Sequence, residues 1–141
     1  MPLISVHAVK AGRHARQHGA MEFSQTPVDL DTVRHYRLQR LRRKMAELDV
    51  AGLLLFNQIN TRYAVDATNM QIWCLHYETR CVFVAVDGPV VLFDYSNHPH
   101  LAEGIPNIDE YRVFPAFYFF GAGDRRDEFV KEFAAQIATG F

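Results

Sequence analysis

Cys74, His76, Cys81, His98 and His100 stand in one stretch of the chain, a mixture of thiols and imidazoles of the kind that binds zinc. Their order is C-x-H, a lone Cys81, then H-P-H, without the paired C-x-x-C knuckles of a structural zinc site. Cys81 also opens a β-branched run that should turn it into a sheet. A nucleophilic Cys74 would need a base, and His76, two residues away in extended backbone, shares its face without a defined hydrogen bond or a third orienting group. "GAGD" at Gly121 has neither a glycine fingerprint nor the Lys and Ser/Thr of a phosphate loop. Asp66, Glu78, Asp87, Asp94 and Asp109 are spread over different elements, so no carboxylate pair is set for acid–base work. No catalytic residue, metal ligand set or cofactor is expected in this chain, which should be inactive alone.

The elements that would position these groups follow from periodicity. Asp31 can cap a helix from Thr32, along which Leu38, Leu41, Met45 and Leu48 recur on one face. Arg34, Arg37, Arg40, Arg42, Arg43 and Lys44 make the other face basic, which reads as solvated or paired with nearby acids rather than as a nucleic-acid surface. "LLLF" after Gly52 is a continuous apolar run suited to an inner strand buried on both faces. "CVFVAVDGPVVLFDY" predicts a hairpin around Asp87-Gly88, with its first strand central. A short helix from His98 to Glu103, a strand in "EYRVFPAF" ended by Pro115, and a helix from about Asp124 with Phe129, Phe133 and Ile137 at four-residue spacing complete the order. Asp124 is its expected cap, and the helix should still be running near Phe141. The fold class is α/β: a mixed β-sheet flanked by helices. Phe114 to Phe120 is strongly aromatic and is equally suited to core packing and to facing another domain or subunit.

The chain has 141 residues, the length of one domain, with 49% apolar and 22% charged residues and a formal net charge of -1. Such a chain buries about two thirds of its unfolded surface, and its charge gives no global drive toward nucleic acid or anionic membrane. No apolar run reaches the ~20 residues of a membrane span, and two cysteines are too few for a disulfide scaffold, so a soluble, cytoplasmic protein is expected. Residues 1–27 form an expected basic arm, with Lys10, Arg13 and Arg16 and no acidic residue before Glu22; residues 28–141 form the domain.

"RLQRLRRKMAELDVAGLLLFNQINTRYAVDAT" resembles the opening of the amino-terminal domain in the creatinase, prolidase and aminopeptidase P family, with Asn60 and Tyr63 matching its Asn-x-x-Tyr element. "NTRYAVDATNMQIW" is most similar to the dimethylsulfoniopropionate lyase branch of that family. Ala64, Val65 and Asp66 replace the Leu-Thr-Gly that follows the Tyr in many peptidase relatives.

The resemblance implies a ribonuclease H-like motif, a homodimer, and a separate carboxy-terminal catalytic domain that holds two divalent metal ions and is absent here. It also implies that the loop Met70 to Arg80 reaches the substrate site of the partner subunit. Arg80 would then supply a bidentate charge for a carboxylate, and Trp73 a flat wall or cation-binding face, with His76 beside them. Simpler roles stand next to these: Arg80 paired with Glu78 or a helix acid, Trp73 buried at an interface, His76 a loop histidine, and Asn60 the cap of the helix containing Tyr63. A protein in another class, a stand-alone interaction module using the basic helix and the Phe114 to Phe120 run, is the alternative. A small enzyme dependent on Cys74 is a third.

Overall fold

The computed structural model describes residues 27–68 and 79–138. Helix α1, Leu30–Glu47, starts from Asp29, whose carboxylate accepts from the backbone N–H groups of Asp31 and Thr32 and from the Thr32 hydroxyl at 2.6 Å. The cap is therefore Asp29 rather than Asp31. These bonds satisfy donors that the first helical turn leaves open. The Thr32 side-chain bond, above all, holds the Asp29 carboxyl below its ordinary range. Leu38 and Met45 are buried as their spacing predicts, whereas Leu48 caps the carboxy-terminal end and is exposed.

Strand β1, Gly52–Leu55, leads to α2, Gln58–Val65. Here Asn57, not Asn60, is the cap: its Oδ1 accepts from the N–H groups of Ile59 and Asn60, which puts Asn60 inside the first turn. Asp66 closes α2 in the left-handed region at φ 61°, a conformation that Asp tolerates better than most residues. The Thr61 hydroxyl donates to the Leu55 carbonyl at 3.0 Å and ties α2 back to β1.

Strands β2, Cys81–Ala85, and β3, Val90–Asp94, form the expected hairpin, with Val82 opposite Leu92 and Val84 opposite Val90. Gly88 takes φ 150° in the turn, a value that L side chains rarely adopt. A 3-10 turn at Pro99–Leu101 crosses to β4, Glu110–Val113, which pairs parallel with β3. The sheet order is β1-β2-β3-β4, antiparallel except for the last pair. The sheet is mixed and β2 is central, as predicted.

Strand β1, expected inside, lies at the edge of the sheet instead. Its apolar run is continuous because its two faces serve different cores: Leu53 and Leu55 pack on one side and the following Phe56 on the other, while Leu54 stays partly exposed.

Two cores sandwich the sheet. On one face Leu38 and Met45 of α1 and Ala64 and Val65 of α2 cover Val82, Val84, Val90 and Leu92. On the other, Phe133 of α4, Arg126–Ala138, meets Cys81, Val91, Phe93 and Phe114. The Phe133 ring lies 5.1 Å from Phe93 and 5.5 Å from Phe114, within the separation at which aromatic pairs attract. Arg112 fastens α4 to β4 by donating to the Gln136 carbonyl at 2.8 Å. The last helical path begins earlier than Asp124, with α3 at Phe119–Ala122, and Asp124 lies in a 3-10 turn ahead of α4. Residues 139–141, where that helix was expected to continue, lie outside the described residues. The aromatic run divides: Phe114 and Phe117 join the core, whereas Phe119 and Phe120 are exposed.

Candidate functional site

Arg80 precedes β2 and Asp94 ends β3. Extending the hairpin register one step beyond Cys81 opposite Phe93 sets these two residues opposite each other. Both point to the face that α1 and α2 cover, in line with Val82 and Leu92. Arg80 Nε approaches Asp94 Oδ2 to 2.8 Å, and neither side chain has exposed surface. Arg80 Nη1 donates to Gln58 Oε1 at 3.2 Å, joining the guanidinium to the first turn of α2. Among the described residues neither Arg80 Nη2 nor Gln58 Nε2 has an acceptor, and both atoms are buried. An unmet buried donor costs about 1–3 kcal/mol, more when it is charged. This corner therefore offers adjacent donors to one further acceptor, such as a carboxylate, carbonyl or water.

His98 stands on the outer side of Asp94, with Nδ1 3.6 Å from Oδ1 and its ring 5.1 Å from that of Tyr95. The Tyr111 hydroxyl donates to the Tyr95 carbonyl. Burial raises the Tyr111 phenol above its ordinary value, and the Asp94 charge adds to the effect. Cys81 has no exposed surface, and burial, seconded by Asp94, pushes its thiol far up. A thiol held protonated this way is neither nucleophile nor metal ligand. Among the described residues no group of three or more His, Cys, Asp and Glu side chains could hold a metal ion.

Of the residues singled out by sequence, Arg80 sits at this corner, and its acidic partner is the strand residue Asp94 rather than a helix acid. Trp73 and His76, with Cys74 and Glu78, lie outside the described residues. Asn60 is exposed, and Tyr63 lies 5.8 Å beneath the Arg37 guanidinium on the outer side of α2, away from Arg80. Sequence reasoning missed Gln58 and Asp94. The signal for Asp94 was present, since the hairpin register alone pairs it with Arg80.

The helix, edge strand, short helix and hairpin, in this order, fit the creatinase/prolidase amino-terminal domain. The chain belongs to that family, whose model matches residues 37–136. It is similar to the dimethylsulfoniopropionate lyase DddP of Roseovarius nubinhibens, with 36% identity over 111 residues, covering 79% of this chain and 25% of the lyase. It is likewise similar to the lyase DddP of Roseobacter denitrificans, with 38% identity over 109 residues, covering 77% of this chain and 24% of the lyase. The chain thus spans about a quarter of the length of these curated relatives. Among solved structures, an XXA-Pro aminopeptidase from Streptococcus pyogenes shares the fold, at a TM-score of 0.50 and 20% identity over 61% of this chain and 60% of its own. Among the described residues no helix is long and apolar enough to cross a membrane.

Proposed function

We propose that this chain is the non-catalytic amino-terminal domain of a metalloenzyme of the dimethylsulfoniopropionate lyase type, supporting a homodimer and lending its 70–80 loop to the partner subunit's substrate site. The observation that carries the lyase assignment is the 36–38% identity to two such lyases over 79% and 77% of this chain. The aminopeptidase likeness, at 20% identity, supports the fold alone. The divalent metals and the bond-breaking chemistry belong, in this account, to a carboxy-terminal domain with which this one works.

A substrate bearing a carboxylate and a sulfonium needs an acceptor-hungry donor at one end and an aromatic face at the other. Arg80 supports the first role: Asp94 and Gln58 fix its guanidinium while Nη2 keeps its hydrogens. A guanidinium held from behind loses little entropy on meeting a carboxylate. Trp73 and His76 are assigned to the second role and to the wall beside it. Arg80 has no exposed surface in the single chain, so contact with a substrate requires that this corner open.

The test uses the 141-residue chain in sedimentation and in turnover assays with dimethylsulfoniopropionate and X-Pro dipeptides, each with added divalent metal. A dimer without turnover is the expected result. Reproducible turnover by this chain would sink the non-catalytic assignment, and a strict monomer would sink the dimer support.

A further inference from the structure

The carboxy-terminal end of α2 gathers more positive charge than it neutralises. Asp66 receives the Arg34 Nε at 3.0 Å, and Arg34 also holds Asp31 at 2.8 Å. Arg37 and Arg62 converge on the other Asp66 oxygen, Oδ1, but stop at 4.0 and 3.9 Å, beyond hydrogen-bond distance. Three guanidiniums thus face two carboxylates, and among the described residues neither Arg37 nor Arg62 has a hydrogen-bonded acceptor. Both line a groove between α1 and α2 of about 470 Å³. Its remaining wall is apolar, formed by Leu30, Val33, Ile59 and the Tyr63 ring. Ile59 is 74% exposed and Leu30 53%, and isoleucine is among the residue types most often buried.

We propose that this groove docks an acidic, apolar peptide segment, one aliphatic side chain resting on Leu30, Val33 and Ile59 and one carboxylate facing Arg37 and Arg62. Charge complementarity selects the partner. The apolar wall gives a phosphate backbone nothing to bind. A basic peptide would meet the one positive charge left over from three guanidiniums and two carboxylates. A neutral apolar one would bury their donors without an acceptor. Carboxylate and aliphatic groups on one strand or helical turn satisfy both halves of the groove together.

The test is an amide-shift titration of the 15N-labelled 141-residue chain with the capped peptide Leu-Glu-Glu-Leu. Saturating shifts at Val33, Arg37, Ile59 and Tyr63 are expected. Joint Arg37→Gln and Arg62→Gln replacement should weaken binding about tenfold. Ile59→Ser, at a position too exposed to threaten folding, should weaken it as well. The proposal is overturned by an absence of saturating shifts, by equal shifts from Leu-Gln-Gln-Leu or Leu-Lys-Lys-Leu, by unchanged affinity in both variants, or by an oligothymidylate that moves the same amides at lower concentration.

Discussion

Arg80 Nε and Asp94 Oδ2 stand 2.8 Å apart with neither side chain exposed, at the open end of the hairpin where the chain enters β2. A buried pair of this kind stabilises through mutual dependence: each charge is tolerable because the other is present.

Breaking the pair should cost more than deleting it. Arg80→Met or Asp94→Leu alone is expected to lower stability by about 3–5 kcal/mol, because each leaves an unpaired buried charge. The double replacement should recover a large part of that loss. Urea midpoints of the four proteins measure the coupling, and strictly additive losses would mean that the pair is not a unit.

Helix caps give a second, sharper contrast. Asp29→Ala should cost about 1 kcal/mol and Asp31→Ala less, and Asn57→Ala should likewise exceed Asn60→Ala. The order follows from which side chain accepts the first-turn N–H groups. Thermal or urea unfolding would show it, and equal losses at each pair would contradict the observed caps.

Alkaline pH should destabilise the domain. Burial raises the Cys81 thiol above its ordinary value of 9.0 and the Tyr111 phenol above 10.0. Above pH 9.0 the unfolded chain releases the thiol proton while the native chain retains it, so stability is full below that pH and falls as pH rises. The slope from the thiol approaches about 1.4 kcal/mol per pH unit. Unfolding free energy between pH 8 and about 10.5, compared with that of Cys81→Ala, isolates the thiol's part; identical pH profiles would refute it.

The two ends of the aromatic run should behave in opposite ways. Phe133→Ala, which opens the core beneath α4, should cost about 3–5 kcal/mol. Phe119→Ser and Phe120→Ser should each stay within about 0.5 kcal/mol, since both rings are exposed. Unfolding midpoints for the three variants decide this.

How far the sequence carried depends on which interactions are local. Alternating Val82, Val84 and Val86 against Cys81, Phe83 and Ala85 located a central strand, and Asp87-Gly88 its turn, because period and turn chemistry are written in adjacent residues. Caps were displaced by two or three residues, since several Asp and Asn side chains compete near each helix start and geometry selects among them. The edge position of β1 was illegible because a run of leucines does not say which neighbour pairs with it. Arg80 was marked as a site residue from its loop, and the hairpin register already pairs it with Asp94, but Gln58 reaches it only when α2 packs against the hairpin.

Whether the loop acts in the partner's site is measured most directly by subunit mixing. Residues of this chain would replace the matched quarter of the Roseovarius nubinhibens lyase. One graft carries Trp73→Ala with an intact second domain. The other keeps Trp73 but is inactivated in the second domain. Each should be nearly inactive alone, and mixed dimers should regain dimethylsulfoniopropionate cleavage at one working site per dimer. Mixtures no more active than the separate grafts would contradict a loop that works across the subunit boundary.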